Sequence, residues 1–184
     1  RFEAHPAAAT VCLELLAPYG FRAEQAETIW KGRKGQPGQL FYTPDFQLLT
    51  DRETFILEKR IIQDSPLMLE IDQAGEYVLP EGQLSLTYAT GALPPEWPDG
   101  KREALVSAEQ LLFPLQCRPW APGDFLYPLG MNGKRKKVQD ILTDSKIDRF
   151  SKDRALVLEN GDGRIIWLIG YRLDERFKLD KDKE

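Results

Sequence analysis

The hydrophobic pattern changes its period near residues 35–38, and this change constrains the fold more than any other feature. Before it, residues 6–17 and 22–33 place apolar side chains at helical spacing. After it, short runs alternate apolar and polar residues, as half-buried strands do. The side chains expected to face inward on the two helices are Val11, Leu15, Leu16, Ala26, Ile29 and Trp30. The sequence therefore predicts a helical hairpin, too small to form a domain alone, followed by a β-rich part.

Turn residues separate the predicted strands of the β-rich part. Pro80-Glu81-Gly82 and Asn160-Gly161-Asp162-Gly163 each favour a tight turn between two strands. Residues 90–102 are rich in Pro and Gly and are expected to form an exposed loop, and the charged end at 178–184 is expected to fray. Strands are predicted at 40–42, 46–49, 54–58, 77–79, 84–88, 104–106, 115–118, 155–158, 165–169 and 171–177.

Helical spacing returns late in the chain, at 136–142 and 144–150, with an interruption expected near Thr143. The predicted fold class is α+β. We expect two parts, a helical piece with its following strands at 1–58 and a β-rich domain at 59–184.

Several classes of protein are excluded or disfavoured by composition. No run of about 18 apolar residues is present, so no membrane-spanning helix is expected. The chain starts at Arg1 without the features of a signal peptide, which suggests a fragment of a longer protein. Cys12 and Cys117 are expected to be reduced thiols in the cytoplasm. His5 is the only histidine, so neither a zinc site nor a histidine-based catalytic set is expected.

Charge is distributed unevenly along the chain. The formal net charge is −4, yet residues 118–154 carry nine Lys and Arg against five Asp and Glu, a local balance of +4. Attraction to phosphate depends on such a local patch more than on the whole-chain sum. The acidic total therefore does not exclude a nucleic-acid partner.

The densest cations follow a glycine-rich loop. Gly130 and Gly133 bracket the loop, and four consecutive cations follow at 134–137. A helix that began near Lys136 would direct its free N–H groups to the same place, which would suit an anion. A second face is expected farther on, because Lys146, Arg149 and Lys152 are spaced three residues apart. The candidate phosphate-binding residues are Arg118, Lys134, Arg135, Lys136, Lys137, Lys146, Arg149, Lys152 and Arg154.

A structural interpretation of the same residues stays open. A KRKK run is often a solvated loop, and neighbouring aspartates could neutralise it. The aspartates concerned are Asp140, Asp144, Asp148 and Asp153. Aromatic and apolar residues nearby are expected to pack in the core or support the loop rather than stack on bases; they are Phe125, Tyr127, Met131 and Phe150. Trp97 and Trp120 fit either role. Arg172 and Arg176 are expected on one strand face, pairing with Asp174 or Glu175.

An ordered series of motifs over 118–178 resembles the C-terminal domain of the tRNA(Ile)-lysidine synthase family. Its elements are Arg118, Gly123-Asp124, Pro128-Leu129-Gly130-Met131, Gly133, Lys137, Asp140, Asp144, Lys146-Ile147, Asp153-Arg154, Trp167, Gly170, Arg172, Asp174 and Arg176-Phe177-Lys178. The N-terminal piece is similar to the family's helical substrate-recognition segment; the matching residues are Tyr19-Gly20-Phe21, Gly35, Phe41 and Asp51-Arg52. The family usually has proline where this chain has Asp148, and residues 60–110 carry no recognisable motif.

The resemblance implies a specific biological role. The family uses ATP to join lysine to the wobble cytidine of the CAU anticodon in tRNA(Ile). ATP and Mg²⁺ are used in an N-terminal catalytic domain with an S-G-G-x-D-S motif that these 184 residues do not contain. This chain is then expected to need no cofactor, to work beside that catalytic domain and to hold the tRNA body and acceptor stem without catalysing the reaction itself. The implied fold is a β-rich three-layer domain with a motif core at 111–178, also found in the β-subunit of phenylalanyl-tRNA synthetase.

Two other functions are compatible with the sequence. A dimerisation or protein-interaction module could use Leu111, Leu112 and Phe113 if these side chains are exposed. A small-molecule enzyme is disfavoured, because no nucleophile and base can be assembled; Asp140 and Asp144 are at i,i+4, but such pairs are usually solvated.

Overall fold

A computed structural model describes residues 7–60, 68–80, 82–89 and 98–179. The chain divides into two compact units. The first unit comprises Arg1–Asp64 and Asp148–Phe150, and the second comprises Ser65–Ile147 and Ser151–Glu184. Several predicted features lie wholly or partly outside the described residues: His5, the start of the first helix at Pro6, Glu81 of the predicted turn, most of the 90–102 loop with Trp97, and the tail beyond 179.

The first unit combines a helical hairpin with a three-stranded meander. Its helices are α1 (Ala8–Leu16) and α2 (Ala23–Gly32), with a short 3-10 turn at Ala17–Tyr19 between them. Its strands are β1 (Leu40–Tyr42), β2 (Phe46–Asp51) and β3 (Thr54–Lys59), paired antiparallel in the order β1-β2-β3. The predicted helices and all three predicted strands are confirmed, with ends that differ by a few residues.

Helix α1 buries the predicted Leu16 but not the rest of the face that the sequence predicted. Its buried residues are Ala8, Cys12 and Leu16, whereas Leu15 is 62% exposed and Val11 is half-buried. Ala8, Cys12 and Leu16 form the i, i+4, i+8 stripe of one helix face. The prediction for Leu15 was wrong because this stripe, and not the face that carries Leu15, packs into the core. On α2 the prediction holds, since Ala26 and Ile29 are buried and Trp30 is half-buried.

The second unit is built on a five-stranded antiparallel sheet of order β12-β11-β10-β7-β4. Its strands are β4 (Leu69–Ile71), β7 (Leu115–Pro119), β10 (Leu156–Glu159), β11 (Ile165–Leu168) and β12 (Arg172–Leu173). The predicted hairpin around Asn160-Gly161-Asp162-Gly163 is confirmed as β10–β11. All four residues of β11 are buried, as expected for a strand covered on both faces.

Two separate cores cover the two faces of this sheet. On one face, Leu115, Cys117 and Leu158 pack with Leu84 of a hairpin formed by β5 (Gly75–Leu79) and β6 (Gly82–Leu86). On the other face, Val157 and Leu168 pack with the second group, which comprises Leu126 of β8 (Phe125–Leu126) and Val138, Ile141 and Leu142 of α3 (Val138–Asp144). The unit is therefore layered as hairpin, sheet and helix, and the α+β prediction is confirmed.

Two predicted strands are shorter than the sequence indicated. Residues 104–106 contribute a single bridge, from Val106 to Lys178, and form no strand. The last predicted strand, 171–177, is a strand only at Arg172–Leu173 and then becomes a 3-10 turn at Glu175–Phe177. The reason is that the Asp174 side chain accepts a hydrogen bond from the Arg176 N–H and so caps a turn. Arg172 and Arg176 consequently do not share a strand face. No helix in the described ranges is long and apolar enough to cross a membrane.

Burial is expected to make the two thiols less reactive in the folded chain. Cys12 and Cys117 are free and buried, and burial raises the pKa of the Cys117 thiol from 9.0 to about 11. At pH 8 the folded thiol should therefore hold about 100-fold less thiolate than the unfolded one. The pKa is raised in the folded state, so its stabilising contribution is complete below pH 9.0 and lost as the pH rises towards 11.

We expect iodoacetamide at pH 8 to alkylate Cys117 at least about 100-fold more slowly in the native chain than in urea. Peptide mass spectrometry of timed samples measures the alkylation rate. In the variant Cys117→Ser, Cys12 is the remaining thiol, and its alkylation rate is measured by itself. Equal rates in native buffer and in urea would show that the β7 core opens easily.

Candidate nucleic-acid interface

The candidate interface is a loop of residues 125–137 that we call the cationic loop. It contains four cations and no acid. It begins with β8 and ends with β9 (Lys136–Lys137), and these two strands pair antiparallel. The glycine-rich segment between them turns through three residues of positive φ, Gly130 at 86°, Asn132 at 52° and Gly133 at 71°. Left-handed backbone at these positions fits glycine and asparagine, so the sequence itself permits this tight path.

A buried carboxylate fixes the base of the cationic loop. Asp174 is fully buried and accepts hydrogen bonds from the Tyr127 N–H at 2.9 Å and from the Arg176 guanidinium at 2.8 and 2.9 Å. The Glu175 N–H donates to the Tyr127 carbonyl at 2.7 Å, and the Leu129 N–H donates to the Leu173 carbonyl at 2.9 Å. The sequence had suggested only that Asp174 pairs with a neighbouring arginine. Its role in holding a loop 47 residues earlier is a tertiary contact that spacing alone does not show.

Two arginine–aromatic contacts lie at the start of the cationic loop, one on β8 and one just after it. The Arg135 guanidinium lies 4.8 Å from the Phe125 ring centre, and the Arg176 guanidinium lies 4.4 Å from the Tyr127 ring centre. The two rings meet edge to face at 6.1 Å. Hydrogen bonding to Asp174 is the largest cause that raises the pKa of Arg176. These contacts support the prediction that Phe125 and Tyr127 stabilise the loop, and they hold Arg135 flat against the strand.

The four cations of the loop are not equivalent. Lys134, Arg135 and Lys137 are exposed, and none of the three forms an ion pair with a residue in the described ranges. Lys136 instead pairs with Asp144 at 2.5 Å, and its side chain is the less exposed of the two. Neighbouring residues on a strand point to opposite sides, so β9 turns Lys137 outward and Lys136 towards α3. Neutralisation of the cations by neighbouring aspartates, which the sequence left open as an alternative, therefore applies to one of the four cations of the loop.

The helix expected at Lys136 begins later. Lys136 and Lys137 form β9, and α3 starts at Val138 with Lys137 at its N-cap. The Val138 N–H donates to the Asp124 carbonyl at 2.9 Å, so it is not available to an anion. Since α3 has only seven residues, its dipole adds little, so the structure gives little support to an anion site at this helix N-terminus. The cationic loop has to act through its side chains.

The second predicted cationic face does not form on one helix. The interruption lies at residues 145–148 rather than at Thr143, and Lys146 has a left-handed φ of 54°. Helix α4 spans only Arg149–Asp153, so Lys146 cannot share a helical face with Arg149 and Lys152. The prediction assumed continuous helical spacing across residues that in fact separate two short helices.

The remaining predicted site residues have structural contacts. In the first unit, the Arg149 guanidinium donates to the Gly38 carbonyl at 3.2 Å. In the second unit, Lys152 donates to the Thr143 hydroxyl at 3.1 Å, and its carbonyl accepts a hydrogen bond from the Trp120 indole at 2.6 Å. Trp120 therefore has a structural role, and Arg154 is half-buried just beyond α4.

Arg118 is the centre of an ion triad. Its guanidinium donates two hydrogen bonds to Asp124, at 2.8 and 3.0 Å, and further bonds to Glu159. The hydrogen bonds to Asp124 are the largest cause that raises the pKa of Arg118. The triad links β7, the turn that follows it and β10, and two carboxylates neutralise one cation. Arg118 thus stabilises the base of the sheet, and we leave it out of the candidate interface.

The first unit has a cleft of about 690 Å³ between the end of α2 and the β2–β3 turn. Residues 32–37 and 50–55 line it together with Trp30, over whose ring the Arg33 guanidinium lies at 3.9 Å. Arg33, Lys34 and Arg52 face Asp51 and Glu53 there, which leaves a balance of only +1. This near-neutral cleft attracts phosphate less than the acid-free cationic loop does. In the described part of the chain, no cluster of three or more acidic, histidine or cysteine side chains is arranged to hold a metal ion.

The residues proposed for dimerisation are mostly covered. Leu111 and Phe113 pack against the first core of the second unit. Leu112 is 50% exposed, but its backbone is fixed by the Asn160 side chain at 2.7 Å and by Gly161. A contact site built on all three side chains is therefore wrong for this fold.

Comparison with known proteins identifies both units. Residues 1–60 match the family model of the TilS substrate binding domain, and residues 115–184 match that of the TilS C-terminal domain. The tRNA(Ile)-lysidine synthase of Parabacteroides distasonis is 35% identical over 179 residues, which cover 96% of this chain and 40% of that protein. The enzyme of the same name from Bacteroides thetaiotaomicron is 34% identical over 177 residues, covering 96% of this chain and 38% of that protein.

A solved structure described as a TilS C-terminal domain aligns with a TM-score of 0.45 and 29% identity, over 51% of this chain and 71% of that one. The chain spans about two fifths of the length of these curated relatives. Together the two family models match 60 and 70 residues and leave only the segment between them unassigned. The chain therefore belongs to the tRNA(Ile)-lysidine synthase family, of which it carries the substrate-binding and C-terminal domains.

Proposed function

We propose that this chain binds tRNA for a tRNA(Ile)-lysidine synthase and holds the tRNA body and acceptor stem through the cationic loop. The observation that carries the proposal is the set of three exposed cations, Lys134, Arg135 and Lys137, on a loop without acids. The name of the curated relatives supplies the substrate, tRNA(Ile). We take its anticodon to be CAU and the reaction to be ATP-dependent ligation of lysine to the wobble cytidine.

Binding and ligation are assigned to different parts of the enzyme. The relatives are more than twice as long as this chain, which leaves room in them for a catalytic domain. We propose that ATP and Mg²⁺ act in such an N-terminal domain, with which this chain cooperates, and that this chain alone does not ligate lysine. Both cysteines are free thiols, which supports a cytoplasmic location.

A cationic loop without a deep groove suits a folded RNA stem. A double-stranded RNA stem presents phosphates and 2′-hydroxyls more readily than base edges, so binding depends on charge and shape. Phosphate contacts position an RNA but carry no sequence information. We therefore expect this chain to bind several tRNAs with similar affinity and to leave the choice of the CAU anticodon to the catalytic domain.

Titration with salt tests this proposal. Fluorescence anisotropy of labelled tRNA(Ile) should give a plot of log K against log salt concentration with a slope of about −2 to −3, since each neutralised phosphate contributes roughly 0.7–0.9. The titration uses the whole chain at 50–300 mM KCl, with an acidic protein of similar size as the blank. A slope near zero, or no binding at 50 mM KCl, would remove the basis for the proposal.

The alternative, a dimerisation module, has less support because Leu111 and Phe113 pack against the core and are only partly exposed. Light scattering coupled to size exclusion separates the two functions. We expect the mass to rise when tRNA is added, by the mass of the tRNA. A homodimer that forms without tRNA and fails to bind it would favour the alternative.

A further inference from the structure

The tip of the cationic loop exposes apolar side chains among its cations. Leu129 is 41% exposed and Met131 is 38% exposed. The tip cannot easily fold inward to cover them, because the Leu129 N–H is bonded to the Leu173 carbonyl and Pro128 forms a bridge with Asp174. Two aliphatic side chains are thus held in solvent at a fixed position beside Lys134 and Arg135.

The charge around these side chains restricts what can cover them. A partner must bring negative charge for the cations and apolar surface for Leu129 and Met131. Nucleic acid offers both, because the sugar carbons lie between the phosphates. An aliphatic tip is poorly suited to base stacking, which is the usual way to bind single strands. Phe125 could stack, but the Arg135 guanidinium already lies over its ring at 4.8 Å. A duplex therefore fits better than a single strand.

The form of the duplex follows from groove shape. The minor groove of A-form RNA is wide and shallow and displays the sugars, whereas the minor groove of B-form DNA is only about 6 Å wide. A short loop tip with two exposed apolar side chains reaches the sugars of a wide, shallow groove more readily than those of a narrow one. We propose that Leu129 and Met131 contact the minor-groove sugars of an RNA stem while Lys134 and Arg135 contact the flanking phosphates.

The proposal rests on the proposed RNA-binding function and predicts selection of duplex form. The variant Leu129→Ser with Met131→Ser should bind a 16-base-pair RNA duplex about 10-fold more weakly than the unmodified chain. The salt slope should stay unchanged, because no cation is removed. The unmodified chain should bind a DNA duplex of the same sequence, and the single RNA strand, more weakly than the RNA duplex. The double variant should leave these two affinities unchanged.

A matched control is available in the same unit. Val78 is 83% exposed on the β5–β6 hairpin, so Val78→Ser removes an exposed aliphatic side chain outside the cationic loop and should leave RNA binding unchanged. Melting curves of both variants exclude loss of fold. The inference fails if the tip variant keeps its RNA-duplex affinity, or loses affinity equally for single-stranded RNA. If the chain binds none of the three nucleic acids, the proposed function itself fails.

Discussion

Replacing Lys134, Arg135 and Lys137 together by glutamate should lower the affinity for tRNA by at least about 100-fold at 0.1 M salt. These three side chains are exposed and form no ion pair in the described ranges, so their full charge is available to phosphate. Each lost phosphate contact should reduce the magnitude of the salt slope by about 0.9. The weak binding that remains should therefore depend very little on salt. Anisotropy titrations at four salt concentrations measure both quantities.

The control for this experiment carries the same change of charge elsewhere on the second unit. Lys101, Arg102 and Lys178 are also exposed, and their replacement by glutamate should weaken binding only slightly. Equal losses in the two triple variants would show that net charge, rather than the cationic loop, governs binding. Lys136→Gln is a further check, because Lys136 is already paired with Asp144 and should contribute little to tRNA affinity.

Replacing Asp174 by alanine should destabilise the second unit by about 2–4 kcal/mol. The substitution leaves the buried Tyr127 N–H and the Arg176 guanidinium without their acceptor. The loss is smaller than for a fully buried ion pair because the Arg176 side chain is partly exposed. Thermal melting followed by circular dichroism should show a drop of about 5–15 °C. Binding of tRNA should weaken as well, since the cationic loop loses its base.

Two variants show whether burial causes this effect. Asp162→Ala removes another arginine–aspartate pair, but that pair lies in an exposed turn, so the expected loss is below about 1 kcal/mol. Asp174→Asn keeps one acceptor oxygen for the Tyr127 N–H and should fall between alanine and the native residue. If Asp174→Ala melts at the native temperature, the carboxylate does not hold the loop.

Residue spacing predicted the elements that are formed by local interactions. The helical hairpin, the three-stranded meander and the β10–β11 hairpin follow from periodicity and turn residues, which act over a few positions. Two elements were predicted less well, because strand pairing and side-chain capping override the spacing of apolar residues. The helix expected from Lys136 became β9 because residues 136–137 pair with β8, and the last strand ended early because Asp174 caps a turn.

The sequence by itself determined that cations gather after a glycine-rich turn, that the fold is α+β and that the chain resembles one enzyme family. Only the tertiary structure decided which of those cations are available to a partner. Lys136 lies opposite the buried Leu126 and turns to Asp144, whereas Lys137 lies opposite the exposed Phe125 and points to solvent. A one-residue shift of register would exchange the two sides, and the register is set by the pairing of β9 with β8, which the run of cations does not reveal.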